Sequence, residues 1–165
     1  MRKMSGFMKI SGAIIAGAVV SAAVILKIKN KIINQEINKT NKFRGYYDLT
    51  NKWISIKNEG KSLSQYFKDQ NYKKICIYGM GELGIRLLEE LKDSEIEVAF
   101  AIDKNAGSTN AEIDIYDNEE ISDEFLNDID IIVVTAIFAF DEIEEQLREK
   151  ISCPVISLED VVFSL

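Results

Sequence analysis

The stretch Ile75-Cys76-Ile77-Tyr78-Gly79-Met80-Gly81-Glu82-Leu83-Gly84 joins a short apolar run to three glycines in a G-x-G-x-x-G spacing. The run is bounded and rich in β-branched and aromatic side chains, as a buried strand is. Downstream, Leu87, Leu88 and Leu91 share one face of a helix predicted over residues 85–92. A second apolar run, residues 97–102, ends at Asp103, 19 residues after Gly84. Strand, glycine turn, helix, second strand and terminal acid make the order expected of a dinucleotide fingerprint. Gly79 would allow the tight turn, Gly81 a close approach of backbone to a pyrophosphate, and Gly84 the packing of helix on strand. Amides at the helix start would hold the phosphates. Asp103 would accept hydrogen bonds from a ribose diol, which favours NAD-like over NADP-like ligands. Glu82 cuts the other way, because its carboxylate would stand beside the phosphates. It leaves open a turn that is structural only.

Outward from that turn the chain repeats the same alternation. Residues 130–135 read as a strand, 140–150 as a helix, 154–157 as a last short strand and 158–163 as a terminal helix, with a weaker strand near 112–115. Residues 73–165 are therefore expected to form an α/β domain, a parallel sheet with helices on both faces.

Charge separates this half from the rest. Residues 1–74 hold 15 Lys/Arg against 4 Asp/Glu, whereas residues 75–165 hold 5 against 23. An acidic domain repels phosphate backbones, so nucleic acid is not an expected partner. A basic half beside an apolar segment fits an anionic membrane surface. The chain has no histidine and two cysteines, Cys76 and Cys153, both in strand-like runs. A His-based catalytic device is excluded, and neither zinc nor a disulfide is expected. No tyrosine is followed four residues later by lysine, the pair with which short-chain dehydrogenases and epimerases transfer protons. No catalytic residue can be named. Thr135 and Asp141 could border a ligand, or serve as a buried cap and a helix-start acid.

Residues 10–26, ISGAIIAGAVVSAAVIL, carry no charge and lie between Lys9 and Lys27. With residues 6–8 counted in and Lys9 snorkelling, the length approaches the ~20 residues of a transmembrane helix. Val20-Ser21-Ala22-Ala23 resembles a signal-peptidase site, but the apolar run continues past it and a basic stretch follows. Lys27, Lys29, Lys31, Lys39, Lys42 and Arg44 outnumber Arg2, Lys3 and Lys9. The excess predicts a single-pass protein of the cell membrane with its C-terminal domain in the cytoplasm. Gly12/Ala16, Ala13/Gly17, Gly17/Ser21 and Ala18/Ala22 are spaced for close helix contact, so a homodimer through this helix is open. Three segments result: 1–27, tail and membrane helix; 28–72, a basic helical connector; 73–165, the nucleotide-binding domain. In the connector, Ile33, Ile37, Thr40, Arg44, Tyr47, Asn51 and Ile54 follow steps of four and three, as one helix stripe or a weak coiled-coil seam. Phe43, Tyr46, Tyr47 and Trp53 form an aromatic cluster that would pack on the domain, the favoured reading, or lie at the lipid interface. Glu59-Gly60 should end the helix and Ser62 cap a short one.

Residues 73–105, KKICIYGMGELGIRLLEELKDSEIEVAFAIDKN, resemble small Rossmann-like proteins of bacterial polysaccharide biosynthesis. In that group the resemblance runs from Trp53 to Val155-Ile156-Ser157-Leu158-Glu159-Asp160. The stretch is also similar to the N-terminal domain of sugar O-acyltransferases and the C-terminal domain of sugar C-methyltransferases. The resemblance implies nucleotide contacts at Gly79, Gly81, Gly84 and Asp103. The ligand it implies is an NAD-like dinucleotide or a nucleotide-sugar. No acyltransferase repeat or methyltransferase domain accompanies it, so no catalytic role carries over. The expected function is a membrane-anchored binding module, accessory to glycan synthesis, that contacts a glycosyltransferase or export component. The alternatives are a small NAD-dependent oxidoreductase or epimerase subunit that needs a partner, and a scaffold with a vestigial site.

Overall fold

The computed structural model describes residues 4–106 and 112–165, the side chains of residues 4–24 and of Glu120 excepted. It contains two compact units, Met1–Tyr46 and Tyr47–Leu165. Helix α1, Met4–Asn58, supplies the first unit and enters the second. Among the described residues no helix is long and apolar enough to cross a membrane. The span expected at residues 10–26 falls, up to Val24, on residues whose side chains lie outside the description.

In the second unit five strands form one sheet: β1 (Lys74–Tyr78), β2 (Glu97–Ile102), β3 (Ile115–Tyr116), β4 (Ile131–Val134) and β5 (Val155–Ser157). All pairs are parallel and the order is β3-β2-β1-β4-β5, so the winding direction reverses between β1 and β4. This is the doubly wound, Rossmann-like arrangement, with its crevice at the carboxyl ends of β1 and β4. The strands are buried on both faces, and their side chains alternate between two cores. Ile75, Ile77, Ile131 and Val133 face a core shared with Leu87 and Leu91 of α3 (Glu82–Leu91) and Val161 of α5 (Leu158–Phe163). Cys76, Tyr78, Ile132 and Val134 face the other, with Ile143 and Leu147 of α4 (Phe140–Arg148). Between β3 and β4 the chain makes a 3-10 turn at Asn118–Glu120, and Leu126 and Ile129 cover the sheet from this segment. The strand expected at 112–115 is the two-residue β3, one step later.

The stretch expected as a connector feeds the first core. Leu49, Trp53 and Ile56 of α1, and Leu63 and Phe67 around α2 (Ser64–Asp69), are all buried there. Their spacing of four, three, seven and four places the α1 members on one helix face. Tyr47 lies outside that phase and is 67% exposed. Phe43 and Tyr46, in the first unit, are exposed as well, whereas Trp53 is buried in the first core. Gly60 takes φ +75°, and the amides of Gly60 and Lys61 bond the carbonyls of Lys57 and Ile56. That pairing closes α1 where Glu59-Gly60 predicted a stop. Ser62 Oγ accepts the Ser64 amide, but α2 starts one residue later than expected, with Leu63 rather than Ser62 as its N-cap.

Glu90 of α3 ties these pieces together. Its carboxylate accepts the Trp53 indole N–H at 2.7 Å, the Leu63 amide at 2.9 Å and the Lys57 ammonium at 3.0 Å, with the side chain 5% exposed. Burial pushes its pKa up, but the bonds from Leu63, Lys57 and Trp53 together outweigh burial and hold it below the ordinary 4.5. A carboxylate depressed on folding stabilises above its unfolded pKa and loses that contribution as pH falls through the folded value. Glu90→Gln removes the charge and one strong acceptor, and should cost about 1–3 kcal/mol at neutral pH. Urea midpoints followed from pH 7 to pH 3 should converge for wild type and variant. A gap that stays constant across that range would deny Glu90 its ionised role.

Candidate functional site

Strand β1 hands the chain to the glycine turn at the sheet's switch point. Gly79 has φ +99°, a left-handed conformation that glycine adopts without strain. Its amide still bonds the Ile102 carbonyl of β2 at 2.7 Å, while its own carbonyl accepts the Thr135 hydroxyl at 2.5 Å. Thr135, just past β4, is 5% exposed, and its amide bonds the Tyr78 carbonyl. It is thus a buried clamp across the turn, one of the two roles its position allowed.

The three glycines differ in what surrounds them. A Cβ at Gly84 would overlap the Gly79 carbonyl oxygen and stand 3.1 Å from its carbon. A Cβ at Gly79 would come within 2.9 Å of Thr135 Oγ1. At Gly81 nothing lies within 4 Å of that position. Gly81 is the N-cap of α3 and makes no side-chain cap, so the first amides of that helix lack an internal partner. Helix α3 begins at Glu82, three residues before the sequence reading placed it, because Gly81 already sits at the cap.

Asp103 follows β2 directly. Its Oδ2 accepts the Met80 amide at 2.7 Å and its Oδ1 the Asn105 amide at 2.8 Å. The carboxylate therefore fastens the glycine turn to the end of β2, a role that spacing alone did not reveal. Each oxygen retains lone-pair capacity for a further donor such as a ribose hydroxyl. A cavity of about 220 Å³ opens here, lined by Tyr78, Gly79, Asp103, Lys104, Ala136 and Ile143 among others. That is below the ~300–1,000 Å³ of most ligand pockets, so it can enclose one nucleoside-sized group and leaves the remainder of a larger ligand on the rim. A larger hollow of about 640 Å³, bordered by Leu88, Glu95, Val98 and Ile113, includes the start of β2 in its lining, away from the switch point.

Several neighbouring groups are acidic. Asp141 and Glu142 occupy the first turn of α4, and Glu159 and Asp160 that of α5, where they oppose the helix dipoles. Asp141 is thus a helix-start acid. Burial raises the pKa of Tyr78, a bond with Asn118 lowers it in part, and the charges of Asp103 and Asp117 raise it further. The phenol stays protonated. Burial, with the charges of Asp130 and Asp123, lifts the Cys153 thiol to about 11, and burial lifts Cys76 as well. Neither thiol is set up as a nucleophile. Lys104, beside Asp103 in the cavity wall, is a cation the sequence reading passed over.

The turn's geometry makes an asymmetric prediction for stability. Gly84→Ala must push backbone apart and should cost at least about 2 kcal/mol, whereas Gly81→Ala, which replaces a favoured N-cap residue without a clash, should cost no more than about 1 kcal/mol. Denaturant midpoints of the two variants check this. Equal losses would mean the turn is not packed as described.

Among curated proteins none matches this chain. It is similar in structure to UDP-D-quinovosamine 4-dehydrogenase from Vibrio fischeri, with 22% identity and a TM-score of 0.41 over 56% of this chain and 85% of that one. Residues 71–155, about half of the chain, match the family described as C2185-like, N-terminal, and the chain belongs to that family.

Proposed function

We propose that the domain binds a nucleotide, either an NAD-like dinucleotide or a nucleotide-sugar, at the β1–α3 turn. On this reading the chain is a membrane-anchored module accessory to bacterial polysaccharide or glycan synthesis. One observation carries the ligand reading: the turn is filled at Gly79 and Gly84 but open at Gly81, in front of the free amides of α3. Glycine is a favourable N-cap, but the fold leaves room for a side chain at position 81. A diphosphate approaching the backbone amides would fill that room. Asp103, with spare acceptor capacity beside a nucleoside-sized cavity, supports a ribose there. The acids on α4 and α5 confine anionic groups to α3 and favour neutral sugar hydroxyls elsewhere along the crevice.

The membrane part rests on the uncharged residues 10–26 and the Lys/Arg excess after them. It places the domain in the cytoplasm, where nucleotide-sugars are, within reach of a glycosyltransferase or an export component.

Calorimetric titration of the full chain with NAD and with UDP-sugars tests the ligand reading. Gly81→Ala should abolish binding while leaving the fold intact. Asp103→Ala removes the ribose acceptors and should weaken binding about 10- to 100-fold. Its thermal midpoint must be read alongside, since Met80 and Asn105 lose their acceptor too. A wild-type chain that binds neither ligand at about 1 mM, the weak end of the affinity scale, would leave a scaffold with a vestigial site. For topology, a reporter fused after Leu165 that works only outside the cytoplasm should stay silent. Activity there would overturn the orientation.

A further inference from the structure

Between Lys27 and Tyr46, in the first unit, α1 is an unbroken helix. On it Leu26, Ile33 and Ile37 are 60%, 52% and 50% exposed, and Asn30, Thr40 and Arg44 of the same stripe are exposed too. These six positions alternate in steps of four and three, the a and d sites of a heptad. The same register read back along the sequence falls on Ala23, Val19, Ala16 and Gly12, all small or apolar. Read forward, it falls on Tyr47, Asn51 and Ile54. Nine of these thirteen positions are small or apolar, the exceptions being Asn30, Thr40, Arg44 and Asn51, while Ile25, Ile28, Ile32, Phe43 and Tyr46 are exposed off this register.

We propose that two copies of this chain pair in parallel through this face of α1. Charge placement favours a second copy as the occupant. Lys31, Lys39 and Lys42 fall at outer positions of the heptad. The flanking g-to-e′ pairs would be Lys29 with Asn34 and Glu36 with Asn41, neither of which sets like charges against each other. Asn30 at an a site meets its own copy only when the helices run parallel and in register. Arg44 is the seam's one charge.

An anionic lipid surface explains the stripe less well. If residues 10–26 cross the bilayer, the unbroken helix carries Lys39 and Arg44 about 18 and 26 Å beyond Lys27. The screening length is near 8 Å, so the outer part of the stripe lies past the lipid charge. This step rests on the membrane reading; the heptad argument does not.

The test is oxidative cross-linking of the full chain in the membranes of cells that express it. A Cys153→Ser background leaves Cys76, which is fully buried. Single cysteines introduced as Ile33→Cys, Ile37→Cys and Thr40→Cys should give covalent dimer at about five times the yield of Gln35→Cys, Asn38→Cys and Lys42→Cys, which lie off the seam. Arg44→Leu added to Ile37→Cys should raise the yield further. Dimer at none of these positions, or equal yield at all, overturns the pairing. So does loss of cross-linking together with uptake of the chain by phosphatidylglycerol but not phosphatidylcholine vesicles, which would give the face to lipid. If the chain fractionates as soluble yet shows the seam pattern, the membrane reading falls and the pairing stands.

Discussion

The carbonyl group of Gly79 is a point of close contact on which the glycine turn depends. The oxygen crowds Gly84, where only a hydrogen fits, and also accepts the Thr135 hydroxyl. The same residue's amide keeps the last rung of the β1–β2 ladder. Three elements, β2, α3 and the end of β4, therefore meet on one residue. Close packing has no slack for even one methyl group there. This crowding sets the angle at which α3 leaves the sheet, and so where its N-terminal amides point.

Electrostatics then decides what those amides can face. An acidic domain is an unpromising host for phosphate unless its charges are placed with care. Here most acids near the crevice sit in the first turns of α4 and α5, where they answer the positive ends of those helices. Asp103 spends part of its charge on the Met80 and Asn105 amides. Helix α3 differs, because its N-cap is a glycine and its first turn carries a single acid, Glu82. The start of α3 and the neighbouring Lys104 are the least acidic part of this rim. Such a rim suits a ligand with a compact charge and neutral, hydroxyl-rich ends.

How much of this was legible in the sequence depends on whether the signal was local. Strands β1, β2 and β4 and the helices were readable because apolar period and glycine punctuation are local. So was the stop at Gly60, since the left-handed cap depends on one residue. The edge strand β3 was misplaced by a step, because two residues carry no period to read. For the aromatics the deciding signal was helical phase, which turns Trp53 inward with Leu49 and Ile56 and leaves Tyr47 exposed. At the site, the glycines and Asp103 were found by spacing. The bond from Met80 to Asp103 and the Thr135 clamp were not, since both join residues more than 20 positions apart.

Glu90 shows what such long-range contacts add. It is a charge in a place where an apolar residue would pack, and it earns its place only because three donors converge on it. Two of them, Trp53 and Lys57, lie in the last turns of α1, and the third opens α2. Without Glu90 the Trp53 indole and the Leu63 amide would be buried without an acceptor. Helix α3 is ten residues long, with the glycine turn at one end and Glu90 next to the other. A rigid rod of about 15 Å thus fixes where the last turns of α1 sit relative to the candidate ligand site. Had the carboxylate been exposed, water would have competed for every one of those bonds, and the end of α1 would be held by apolar contact alone. Burial makes the three bonds directional, so Trp53 is fixed in orientation as well as in depth.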